Sequence, residues 1–93
     1  MQMKVELAPS EGRQGELVRV RVTPENAPAV TGVNVSVDAY GVNVSLHRQG
    51  DAWVGEESVP YEADPGTYDL TVRAYDDNWH TMESAQATFT VVV

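Results

Sequence analysis

From Thr67 to Tyr75 the residues Tyr68, Leu70, Val72 and Ala74 alternate with Thr67, Asp69, Thr71 and Arg73, and no other stretch restricts the fold as much. A period of two sends successive side chains to opposite faces of an extended chain, so this segment predicts a half-buried antiparallel strand. Asp64-Pro65-Gly66 stands directly before it. Pro65 presets the backbone for the second position of a turn and Gly66 accepts the positive φ of the third, so Asp64 to Thr67 reads as a type II turn.

The same period recurs along the chain. Lys4 to Leu7 is a first strand, closed by Ala8-Pro9, where the missing N–H of proline suits an edge or a switch between sheets. Val18, Val20 and Val22 alternate with Arg19, Arg21 and Thr23 as a second strand, and Pro24 to Pro28 breaks it. Gly32 to Val37 is repeated nearly unchanged by Gly41 to Leu46. With Asp38-Ala39-Tyr40 as the turn, these are two consecutive antiparallel strands showing valines to the core and Asn or Ser to water. Each copy carries Asn-Val-Ser, at Asn34 and Asn43, the acceptor pattern for N-glycosylation placed within a strand rather than a loop. His47 to Asp51 reads as the next turn. Ala52 to Val59 is a fifth strand with Trp53, Gly55, Glu57 and Val59 on one face, Trp53 belonging to the core. Glu57 fits that face badly, because an unpaired buried carboxylate is costly; the frayed end of the strand would accommodate it. Ala85, Ala87, Phe89, Val91 and Val93 alternate along a last strand. Seven strands and no helix, with turn signals at short intervals, predict an all-β antiparallel sandwich.

A chain of 93 residues suffices for one such domain, residues 1–93. The net charge of −8 argues against nucleic acid and anionic lipid, whose affinity comes from clustered Lys and Arg. With no cysteine, no disulfide supports the fold and redox chemistry does not reveal the compartment. No apolar run approaches the roughly 18 residues that suggest a membrane-spanning helix. Met1-Gln2-Met3 directly ahead of a strand reads as the start of a piece of a longer protein, with any signal peptide or anchor outside it.

Gly50-Asp51-Ala52-Trp53, Val59-Pro60, the run Pro65 to Val72, and Phe89-Thr90-Val91 are also a set of family cues. On these residues the chain from about Leu7 to Val92 resembles the immunoglobulin-like, or fibronectin-type-III-like, modules of bacterial and archaeal secreted and surface proteins. The resemblance implies a seven-stranded immunoglobulin-like sandwich with Greek-key connections. It also implies a tyrosine corner, in which a buried Tyr68 bonds through its hydroxyl to backbone near Glu62 to Asp64. The chain departs from antibody domains, since Leu70 stands where they place a cysteine and the third strand has no tryptophan. The implied role is a non-catalytic structural or adhesive spacer, or an interaction module, of a larger extracellular or cell-surface protein, with neighbouring domains of the same polypeptide as first partners.

Threading seven strands up and down brings Glu25 to Thr31, His47 to Asp51 and Asp76 to Thr81 to one end. The candidate ligand residues Trp79, His80, His47 and Tyr75 lie there, at the end where variable domains carry their binding loops. Trp79 with Tyr75 could offer aromatic faces to a sugar ring, which makes carbohydrate binding the alternative function. Asp76, Asp77 and Asn78 read first as turn formers. Calcium is the sharper reading of that triplet, but it requires six to eight oxygens and therefore help from Glu25, Asn26 or a neighbouring module. His47 and His80 lack a third ligand at a fixed spacing for a transition metal. No nucleophile elbow and no phosphate-cradling glycine loop occurs, so no enzyme is expected and no cofactor other than calcium.

Overall fold

The computed structural model describes residues 2–25 and 30–93, and among these nine strands form two packed sheets with no helix. In chain order they are β1 (Gln2–Ala8), β2 (Glu11–Gly12), β3 (Leu17–Glu25), β4 (Gly32–Val37), β5 (Val42–Ser45), β6 (His47–Gln49), β7 (Ala52–Ser58), β8 (Gly66–Tyr75) and β9 (Thr81–Val91). One sheet has the order β1-β3-β7-β6 and the other β2-β9-β8-β4-β5. Every pairing is antiparallel except β2 with β9. The expected immunoglobulin-like sandwich is present, with β2 and β6 in addition to the seven strands anticipated.

Alternation decides which face each strand buries. Along β3, Val18, Val20 and Val22 are buried between exposed Leu17, Arg19 and Arg21. Across the core β8 supplies Leu70, Val72 and Ala74, and Val22 and Val72 are completely enclosed. Trp53 and Phe89 join the same cluster, so Trp53 has the core position its strand parity implied. Pro9 stands where the chain leaves the first sheet for the second, following a cis Ala8–Pro9 peptide.

The structure corrects several boundaries. β3 runs on through Pro24 to Glu25, paired with Met3 and Gln2, because past Val22 it has lost its β7 partner and a missing N–H is tolerated beside a single neighbour. Asn26, Ala27 and Pro28 lie outside the described residues. His47-Arg48-Gln49 forms β6, paired with Val54, Trp53 and Ala52, where a turn was expected. The last strand begins at Thr81, earlier than its apolar alternation. Asp64 to Thr67 is not a type II turn. Gly66 has the positive φ expected of it, at 150°, but it already pairs with Val91, so the chain bends at Pro65 and enters the sheet there. Asn34 lies on the outer face of β4 as expected but is only half-exposed, and its Oδ1 is buried without a partner.

Strand direction fixes the ends of the molecule. Gln2 pairs with Glu25 at one end, where Gly32 also meets Tyr75, whereas Val91 pairs with Gly66 at the other. The principal extents are 40 × 22 × 17 Å, so β1 enters and β9 leaves at opposite ends of an elongated body.

Candidate functional site

The hairpin between β8 and β9 is organised by Asp76. Its Oδ1 accepts the N–H groups of Asn78 and His80, both at 2.9 Å. Its own N–H donates to the His80 carbonyl, and its carbonyl accepts the Trp79 N–H, each at 3.1 Å. The His80 N–H above all, with that of Asn78 and the imidazole adding to it against some desolvation, holds the Asp76 carboxyl below its ordinary value of 3.8. Asp76 therefore acts as an Asx-type turn former. Asp77 and Asn78 are exposed at the tip, and among the described residues no three His, Cys, Asp or Glu side chains gather as a metal site would require.

Asp76 leaves Trp79 in an unusual backbone state. Its φ is 62°, in the left-handed region that bulky residues seldom enter, and it is 76% exposed. Its ring centroid lies 6.1 Å from that of Tyr75 with the planes at 58°, so the two rings form a wedge rather than a flat platform. One edge rests over Gly32, where a Cβ would stand 3.7 Å from Cζ3. His80 Nδ1 stands 3.8 Å from Asp76 Oδ2. Tyr75, Asp76, Trp79 and His80 are thus brought together. His47 is not, because it is exposed on β6 at the edge of the other sheet, where pairing with Val54 carries it away from the turn expected to hold it.

Two features went unread in the sequence. Tyr40, in the turn between β4 and β5, packs on Tyr68 with ring centroids 5.4 Å apart and hydroxyls 3.1 Å apart. The expected corner forms, with the Tyr68 hydroxyl donating to the Asp64 carbonyl, but Tyr68 is half-buried rather than buried and its hydroxyl lies at the surface. The second feature is a slot of about 230 Å³ between the sheets, lined by Val18, Val20, Val37, Val44, Phe89 and Glu57 among others. Its side is formed by β5, the edge of one sheet, and by Glu57 and Ser58 of β7, which lie beyond the reach of β6. The only sequence signal for the slot was the carboxylate of Glu57 on an otherwise apolar face.

No family model matches the sequence, and no curated protein matches it. Among solved structures, the fibronectin(III)-like modules of CbhA from Clostridium thermocellum are similar in fold. The TM-score is 0.69 at 19% identity, over 97% of this chain and 96% of that one. At that identity the likeness establishes a fibronectin(III)-like sandwich.

Proposed function

We propose that this fibronectin(III)-like sandwich serves as a non-catalytic structural module, a rigid spacer between neighbouring domains of a larger extracellular or cell-surface protein. The observation that carries this reading is the exit of the chain ends at opposite poles of a body 40 Å long. Each unit of that geometry lengthens a string of domains, whereas termini at one pole would fold neighbours back. The likeness to modules of a bacterial protein supports the same reading. The test is small-angle scattering on two copies joined head to tail. A maximum dimension near twice 40 Å supports the spacer; a compact particle with the copies side by side refutes it.

A second reading is favoured by one observation, the exposed and backbone-strained Trp79. Strain of this kind costs on the order of 1–3 kcal/mol and collects at sites of use. The wedge of Trp79 and Tyr75 suits one sugar ring stacked on one indole face, which makes carbohydrate the ligand class. Affinity electrophoresis in soluble polysaccharides checks it. Retardation that disappears in Trp79→Ala supports a carbohydrate module, and equal mobility of the two proteins in every gel excludes it.

A further inference from the structure

The slot between the sheets is unusual for so small a sandwich, whose interior is normally filled by interdigitating side chains. Its walls are mainly valines, with Leu7, Leu70, Phe89 and the Tyr40–Tyr68 pair. One charged group faces it. Glu57 is paired in register with Val18, just as Gly55 is with Val20 and Trp53 with Val22, and side chains directly opposite in a ladder share a face. Val18, Val20 and Val22 point into the core, so Glu57 stems from the inward face at the rim of the slot. Its Oε1 accepts only the neighbouring Ser58 N–H at 3.3 Å, and among the described residues no Lys, Arg or His pairs with it. The rim therefore offers an unpaired carboxylate beside an apolar hole.

We propose that this slot binds a small amphiphilic amine, with its apolar body between the sheets and its ammonium on Glu57. Volume sets the body. An apolar cavity of about 150 Å³ accepts benzene, so by proportion this slot admits roughly eight to ten non-hydrogen atoms. Charge sets the head. A carboxylate at the mouth attracts a cation and repels an anion, and the low-polarity walls on either side weaken screening. The overall charge of −8 acts in the same direction on any cation, so the experiment must separate Glu57 from the general field.

Three probes of equal chain length serve: n-octylammonium, n-octanol and n-octanoate, each titrated below its micelle concentration into the whole chain and followed by amide chemical shifts. The expected result is saturable binding with shifts centred on Val18, Val44 and Phe89. Octylammonium should bind roughly twofold to fivefold tighter than octanoate, the difference an exposed ion pair supports, with octanol between. Glu57→Gln should remove most of that preference, leaving only what the remaining charge of the protein contributes, and leave octanol unchanged, because only the rim charge is lost. Val44→Phe should fill the slot and weaken all three; if that variant does not fold, the shift map alone locates the site. The proposal is overturned if none of the probes saturates, if octanoate equals octylammonium, or if the preference survives undiminished in Glu57→Gln and so reflects net charge alone. It is also overturned if Glu57→Gln dimerises with its preference intact, since Glu57 would then only guard the free edge of β7.

Discussion

Tyr68 carries the corner on a single hydroxyl, which donates to the Asp64 carbonyl and meets the hydroxyl of Tyr40 on its other side. The hydrogen bond with Tyr40 chiefly, aided by desolvation and by the charges of Tyr40 and Asp64 on ionisation, pushes the Tyr68 hydroxyl up from 10.0 to about 12. The unfolded chain then ionises first as pH rises. Stability from this group is fully present below pH 10 and is lost progressively toward pH 12. Tyr68→Phe should unfold at lower urea concentration at pH 8, with the gap from the parent closing above pH 10; a gap that stays constant to pH 12 contradicts the coupling. Two residues of the neighbouring hairpin behave oppositely. Trp79→Gly should keep or raise the melting temperature, since glycine enters positive φ freely, whereas Asp76→Ala should lower it by leaving two N–H groups without their acceptor. The Asp76 contribution is present above pH 3.8 and fades as pH falls through its lowered folded value. A Trp79→Gly protein that melts well below the parent would make Trp79 a plug rather than an exposed contact.

Strands became legible in the sequence in proportion to their length and alternation. β3, β4 and β8 declare themselves because each alternates over six residues or more with apolar side chains on one face. β2 and β6 did not, because two or three polar residues carry no period and become strands only through partners distant or folded against them. In the site, Trp79, Tyr75 and His80 were legible from chain threading; the left-handed backbone of Trp79 was not, since Asp77 or Asn78 enters that region more readily. The slot depends on how far two sheets stand apart, which no local pattern encodes. At the crossing from β5 to β6 lies a constraint of the same kind. A Cβ on Gly55 would stand 2.6 Å from the Cδ2 of buried Leu46. Gly55→Ala should therefore cost about 1–3 kcal/mol through overpacking. Leu46→Ala makes room for that methyl, so in the double variant the two costs should sum to less than their parts by denaturant unfolding. Strict additivity would mean that Leu46 swings into the slot without cost.

For the whole molecule, the excess of 14 acidic over 6 basic side chains destabilises the folded state by self-repulsion, and salt relieves that repulsion. Calcium acts in two distinguishable ways. It screens like any salt, and if Asp76, Asp77 and Asn78 formed a complete site it would also stabilise by mass action. A dissociation constant of ~1 mM at 10 mM calcium would give roughly 1.4 kcal/mol, a rise of several degrees for a domain of this size. The geometry argues against that gain, because Asp76 Oδ1 already accepts two N–H groups and no third acidic or histidine ligand joins the triplet among the described residues. The expected outcome is that 10 mM calcium chloride raises the melting temperature no more than sodium chloride of the same ionic strength, about 30 mM. An extra rise of several degrees with calcium would establish a complete site at the pole where β1 enters. If two copies joined head to tail gain that extra rise while one copy does not, the missing oxygens come from the adjoining unit. Equal responses in both leave the triplet as turn formers, with Asp76 already committed to the backbone of its own hairpin.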